Sequence, residues 1–292
     1  MSKESRIDTH LHVWDRDLLP YPWLHSRPDL PWRAGVPGRG PLCRGRVLGV
    51  VLVEAGVGAG YEAHELSWLL SLVKADPAVL GVVAAVDWRI GGVDGVIDRG
   101  GDCGLVGVRV SLAGADSPRS FARSLASAGS AGLSVDVLCA PSELDLLADA
   151  LEEYGSGAVV LDHLGNPPIR QGWNCAAARS WERSLERLST FPRLTVKLSG
   201  LPALANGDRT MSEQCAPFLQ AAVDIVGTSR AMLGSDWPVS GFSRPWVKRY
   251  GDWFSFVKHS LGDRYNADIA SCVARRVYSL DIVSGDKDAR DG

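Results

Sequence analysis

No apolar run in this sequence reaches the roughly 18 residues that a membrane helix requires. The opening, MSKESRIDTHLH, lacks the apolar core of a secretory signal. These two absences exclude a membrane partner and give a cytoplasmic address as the default expectation. Neither sign of charge is in excess: 31 basic and 34 acidic residues leave a formal net charge of −3. Nucleic-acid readers carry a clear basic surplus, so nucleic acid is excluded as a partner. The six cysteines (Cys43, Cys103, Cys139, Cys175, Cys215 and Cys272) are widely scattered and never approach CxxC spacing. They read as reduced, mostly buried thiols, not as a metal knot or disulfide frame. No GxGxxG follows the first apolar segment, which disfavours an open doubly wound sheet. There is no low-complexity tract.

What is present is a recurring alternation. Eight short runs rich in Val, Leu and Ile occur at Arg6–Trp14, Val47–Ala55, Val79–Asp87, Leu105–Ser111, Leu133–Cys139, Ala158–Leu164, Leu194–Gly200 and Arg230–Trp237. Near-continuous apolar character marks parallel strands covered on both faces. Helix-period stretches fall between them, at Tyr61–Ala75, Arg119–Ala131, Pro141–Tyr154, Ala176–Phe191, Met211–Gly227 and Trp246–Leu261, with a closing helix at Asn266–Leu280. This pattern predicts an α/β fold: a single-domain (β/α)8 TIM-type barrel over residues 1–283 with a long loop after strand 1. That loop, Asp15–Arg46, holds seven prolines or glycines before Gly40 and has no helical period. Its tryptophans argue against disorder, and its place after the first strand makes it a lid over the barrel mouth. Residues 284–292 read as a disordered charged tail.

Barrel enzymes place their chemistry at the C-terminal ends of the strands. His10 and His12 share one face of the first strand by alternation, so together they suit one metal ion or one anion. The other strands carry Glu54, Arg109, Asp136, Asp162 with His163, Lys197, and Asp236 in Gly-Ser-Asp-Trp-Pro. Charged residues in apolar strands are expensive to bury unless paired. One such residue suggests a structural ion pair; one on each of six strands suggests a site. His25 lies in the loop within reach of substrate, whereas His64 and His259 read as outer-ring helix residues. Among ten tryptophans, Trp14, Trp23 and Trp237 fall near the mouth, where they would stack on a ring.

The strings IDTHLHVWD, LPYPWL, VLVEAG, GVR, LDHLGNPP, VKLSGL and LGSDWPV, in this order across almost the whole chain, resemble the amidohydrolase superfamily. The likeness is to the branch that includes sugar lactonases and 2-pyrone-4,6-dicarboxylate lactonase. That resemblance implies a hydrolase, most simply one that opens a lactone with water. His10 and His12 match the family's HxH, His163 its LDHLG histidine, and Asp236 its SDWP aspartate. Asn166 stands where the family usually has Lys. Only one later-strand histidine is found, so the two-metal site of other superfamily members is not expected and decarboxylation is disfavoured.

By this reading Asp236 would act as general base, and His163, helped by Arg109 or Lys197, would polarise the carbonyl. His10 and His12 would orient Asp236 and water. Alternatively His10, His12, His163 and Asp236 would hold one divalent metal, zinc foremost; the lactonases resembled here also admit a metal-free site. Glu54, Asp136 and Lys197 would contact substrate. Arg109, with Arg27, Arg33, Arg39, Arg44 and Arg46 of the loop, would attract a carboxylate-bearing ring. The partner is a small molecule, and a homodimer is an open alternative. Rival readings are amide hydrolysis, decarboxylation or lactone isomerisation on the same residues, including tailoring of a natural product, and a barrel that binds without catalysing.

Overall fold

The computed structural model describes residues 5–37, 47–90, 92–100, 104–113, 118–154, 157–207, 209–242 and 249–281. Eight parallel strands form one sheet in chain order: β1 (Arg6–Leu11), β4 (Val47–Val53), β5 (Val79–Ala85), β6 (Leu105–Ser111), β7 (Ser134–Leu138), β8 (Val159–Leu161), β9 (Leu194–Leu198) and β10 (Ala231–Leu233). Two further strands, β2 (Trp14–Asp15) and β3 (Arg33–Ala34), pair antiparallel in the loop after β1. The first and last barrel strands meet at a seam. There Asp236 N donates to His10 O at 2.8 Å, His12 N to Trp237 O at 2.9 Å, and Thr9 Oγ1 to Leu233 O at 2.6 Å. The result is the expected (β/α)8 barrel, with each predicted strand in its place.

Side-chain parity separates two cores. Val50 and Leu52 of β4, Val108 and Val110 of β6, Val135 and Val137 of β7, and Val196 and Leu198 of β9 belong to one large cluster shared with the helices. The alternate residues Val51, Val53, Val83, Val160 and Met232 form a second cluster with Ile7. Arg109, Asp136 and Lys197 fall between members of the outer cluster, so strand alternation turns them inward. The charged residues that look misplaced in the apolar runs are thus those of the inner face.

Most helices match the periodic stretches: α1 (Glu62–Ala75), α3 (Pro118–Ser130), α4 (Leu144–Tyr154), α5 (Ala176–Ser189), α8 (Ala216–Val226) and α10 (Asp252–Leu261). The helix α2 (Val93–Gly100) was not signalled, because eight residues are too few to show a sustained apolar period. Short helices α6 (Leu201–Leu204), α7 (Met211–Gln214) and α9 (Val239–Phe242) follow late strands or precede α8. The closing segment is a π-helical turn, Asp268–Cys272, that runs into α11 (Val273–Val277). It shares the inner cluster through Val273, Ala274 and Tyr278. No described helix is long and apolar enough to cross a membrane.

The loop after β1 has its own structure. A 3-10 turn over Pro22–Ser26 and the β2–β3 pair surround a cluster of Trp14, Leu19, Tyr21, Leu24, Leu30 and Ala55. Two of its described arginines face acidic partners within the loop. Arg27 pairs with Asp29 at 2.8 Å, and Arg33 with Asp15 at 3.1 Å and with Asp17. Arg16 lies over the Trp32 ring at 4.0 Å. The expectations for Arg39, Arg44, Arg46, Cys43, Cys103 and the tail from 284 onward fall outside the described residues.

Candidate active site

At the C-terminal end of the barrel, three imidazoles converge on one carboxylate oxygen. Asp236 Oδ1 lies 3.4 Å from His12 Nε2, 3.9 Å from His10 Nε2 and 4.0 Å from His163 Nε2. All four side chains are buried. The two strand-1 histidines touch each other, Nε2 to Nε2, at 3.1 Å. His10, His163 and Asp236 also form a group whose ligand-type atoms all lie within 4.8 Å of one another.

Two of these residues sit on strained backbone. His163 (φ 53°) and Asp236 (φ 52°) are in the left-handed region, as are Leu164 and Asn166 beside His163. Non-glycine residues adopt it at a cost, and such strain concentrates at sites. It turns His163 inward from the end of β8 and Asp236 inward from the end of β10. Gly200, itself at φ 73°, makes room: a Cβ there would stand 2.3 Å from His163 Nδ1. The Ser-Gly of the VKLSGL string is therefore part of the site, because Ser199 Oγ also meets His163 Nδ1 at 2.9 Å.

The outer nitrogens of the imidazoles govern what the inner ones can do. His12 Nδ1 faces the Val53 carbonyl at 3.1 Å. A carbonyl only accepts, so Nδ1 carries a proton. At His163 the hydroxyl of Ser199 can give or take, and its choice sets whether Nε2 bears a proton or a lone pair. His10 Nδ1 has two rivals: Lys197 Nζ at 3.1 Å, which donates, and Asp162 Oδ1 at 3.3 Å, which accepts.

Burial works to raise the Asp236 pKa, but His163, His12 and His10 outweigh it and hold the carboxyl below the usual range. Burial lowers His163, with Asp236 and Asp162 opposing, and burial with Lys197 pushes His10 well below the ordinary histidine value. Asp236 is thus held as a carboxylate, while burial disfavours the charged forms of His10 and His163. Ser240 Oγ donates to Asp236 Oδ2 at 2.7 Å, which leaves Oδ1 as the oxygen that faces the histidines.

Beneath this layer lies a second one. Lys197 Nζ contacts Asp136 Oδ2 at 2.5 Å and Asp162 Oδ1 at 3.1 Å. Tyr278 reaches in from the closing segment to donate to Asp136 Oδ2 at 2.8 Å. Burial lifts Asp136 to about 6 against the pull of Lys197. Arg109 spans the two layers, donating from Nε to Asp162 Oδ2 at 2.8 Å and from Nη1 to Glu54 Oε1 at 2.9 Å.

A cavity of about 370 Å³ opens over the histidines. Its lining includes His12, His163, Asp236, Glu54, Arg109 and Trp23. The expected site residues divide accordingly. His10, Lys197 and Asp136 lie fully buried under the cavity instead of lining it. Trp23 lines it, with Nε1 fixed on Ala55 O at 2.7 Å. Trp14 is fully buried in the loop cluster and donates to Pro31 O, so it holds the loop instead of facing a ring. Trp237 packs against Tyr250, outside the cavity lining. Two donor nitrogens of Arg109 are already committed to protein carboxylates, which weakens its expected role as a carboxylate hook. Asn166, at the position where the resemblance leads one to expect Lys, uses its amide to donate to Cys139 O at 2.9 Å.

Ser199, Ser240, Tyr278 and Asp8 were not singled out from sequence. Asp8 accepts from His10 N at 3.1 Å, Ser235 N at 2.8 Å, Ser235 Oγ at 2.6 Å and Tyr250 Oη at 2.8 Å, which locks the seam between the two strands that supply the site. Its place two residues before His10 was the available signal.

Known proteins resemble this chain in sequence and in fold. The chain is 29% identical over 250 residues to an L-fucono-1,5-lactonase of Burkholderia multivorans, covering 80% of this chain and 82% of that protein. A crystal structure of an amidohydrolase from Burkholderia multivorans with bound zinc matches with a TM-score of 0.80 and 26% identity, over 94% of this chain and 99% of that one. A Pseudomonas putida structure assigned as a 2-pyrone-4,6-dicarboxylic acid hydrolase matches with a TM-score of 0.68, over 96% of this chain and 99% of that one. At its 24% identity the likeness speaks for the fold alone. The family model described as Amidohydrolase matches residues 7–280, so this chain is an enzyme that belongs to the amidohydrolase family.

Proposed function

We propose that the protein hydrolyses a lactone, of the sugar-derived 1,5-lactone class, with Asp236 as general base. The observation that carries this reading is Asp236 Oδ1, ringed by three imidazoles at the floor of the 370 Å³ cavity. The lactonase relative supports it.

In the proposed reaction a water oxygen bonds to the lactone carbonyl carbon while Asp236 takes the released proton. His163 faces the same point, and with Ser199 donating to Nδ1 its Nε2–H is available to the developing oxyanion. The ring C–O bond then breaks, and the alkoxide oxygen receives the proton from Asp236. The product is an open-chain hydroxy acid. The Arg109 charge is balanced by Glu54 and Asp162, so the cavity favours an uncharged ring over the carboxylate-bearing one weighed from sequence.

The donor set fits a divalent ion, and the zinc-bound relative supports zinc foremost. His10, His163 and Asp236 would hold it, with His12 Nε2 beside them. The outer partners Val53 O and Ser199 Oγ fix ring orientation as second-shell groups do in metal sites. When bound, such an ion supplies Lewis-acid polarisation of a carbonyl.

The test is a pH-stat assay on a panel of aldono-1,5-lactones, run beside metal analysis. The expected outcome is turnover of at least one lactone and a loss of about 10²–10⁴-fold in kcat for Asp236→Asn, the typical worth of a general base. No turnover of any lactone, or an Asp236→Asn enzyme within a few-fold of the parent, would overturn the proposal.

A further inference from the structure

Among the described residues, two neighbouring cavities open at the barrel mouth. Beside the cavity over Asp236 lies another of about 260 Å³, and the two share Glu54, Gly56, Arg109 and Leu138 as a common wall. The rest of its lining comes from the ends of β5 and β6, the Asp87–Arg89 turn, Val57 after β4 and Glu62 of α1. None of the site histidines and no part of Asp236 lines it, so it is a place to bind and not to react.

Its walls are preformed. The floor is built on strand ends, and buried Trp88 is pinned by its Nε1 to Ser111 O at 2.7 Å. Its charged side chains already have partners. Arg109 is held by Glu54 and Asp162, and Arg89 by Asp87 at 3.4 Å and by the Ala113 carbonyl; Glu62 accepts from Gly60 N at 2.9 Å. Three carboxylates, Glu54, Glu62 and Asp87, face two guanidinium groups, those of Arg89 and Arg109. A ligand carboxylate would meet a negative surplus there. Hydroxyl groups meet what they need: spare carboxylate lone pairs, remaining guanidinium N–H groups and the Ser111 hydroxyl.

We infer that this second cavity is a binding lobe for an uncharged, hydroxyl-bearing unit attached to the ring that opens beside Asp236. The substrate class is then a lactone carrying a second sugar or polyol unit, not a single ring. The inference rests on the lactone reading above. The lobe forms and breaks no bond; it adds binding energy remote from the reacting carbon, which serves to orient that carbon.

The experiment compares matched aldono-1,5-lactones, each with and without a glycosyl substituent, on the parent enzyme and on Ser111→Phe, which fills the lobe. At least one glycosylated lactone should exceed its plain partner tenfold in kcat/KM, and Ser111→Phe should cut that ratio at least tenfold, chiefly through KM. Ratios within twofold of unity in the parent, or unchanged in the variant, overturn the inference. If Ser111→Phe does not fold by circular dichroism, Asp87→Ala supplies the same comparison. If no lactone is hydrolysed, the lactone reading falls, and the lobe is judged by calorimetric titration with disaccharides and their constituent monosaccharides. Tighter disaccharide binding that Ser111→Phe abolishes upholds the lobe; equal or absent binding overturns it.

Discussion

The His163 ring occupies the space that a side chain on Gly200 would need, with Nδ1 2.3 Å from the position of a Cβ there. Nothing flexible can yield, because the ring is also held by Ser199 and its own backbone is left-handed. Gly200→Ala should therefore displace His163 from Asp236 and lower kcat at least a hundredfold. The left-handed φ adds a stability loss of about 1 kcal/mol. A folded Gly200→Ala enzyme with full kcat would show that His163 has no part in turnover.

Ser240 is the donor that holds the far oxygen of Asp236. Removing it in Ser240→Ala frees the carboxylate to rotate and takes away a hydrogen bond to the charged form, which raises its pKa. The sign follows: the active ionised form exists above that pKa and is lost as pH falls through it. The acid limb of the kcat–pH profile should move to higher pH in the variant, with kcat down about tenfold and KM changed less. A superimposable profile would remove Ser240 from the account.

Arg109 joins two carboxylates, so its loss takes the donor from Asp162 Oδ2 in the interior and leaves Lys197 as the cation on the other oxygen. Breaking a buried pair by removing one partner costs about 3–5 kcal/mol. Arg109→Ala should show that loss in chemical denaturation, and Arg109→Met combined with Glu54→Gln should recover part of it. A variant of parental stability whose only defect is a raised KM would instead restore Arg109 as a substrate anchor.

Glu65 is buried under the loop, where its Oε1 accepts from Ala55 N at 3.1 Å. Burial, reinforced by Glu54, raises its pKa from about 4.5 to about 8. A raised folded-state value means that its contribution to stability is fully present below about 4.5 and is lost as pH rises through about 8. Glu65→Gln should gain in Tm over the parent progressively across that window and match it in acid. A pH-independent difference would show that the carboxyl does not titrate in the fold.

The barrel was legible because parallel strands with both faces covered write continuous apolar runs, and because Arg109, Asp136 and Lys197 interrupt those runs at inward positions. His10, His12, His163 and Asp236 were legible as residue types at strand ends. Their supports were not. Ser199 and Ser240 are ordinary serines until the backbone turns them, and Tyr278 acts from 142 positions away from its partner Asp136. Trp14 misled for a similar reason: a tryptophan near the mouth reads alike whether it faces the cavity or props the loop behind it. Only packing separates Trp14 from Trp23.

The seam between β1 and β10 has a consequence in time. Asp8 and Ser235, which join it, are 227 positions apart. A chain growing from its first residue displays His10 and His12 early, yet they have no carboxylate to face until the segment carrying Ser235, Asp236 and Ser240 has been made and folded into place. On the proposed reading the reactive centre is thus completed late, and chains that stop before Asp236 lack its base. A circular permutant that joined the two strands in sequence would bring that assembly forward to the first stage of synthesis.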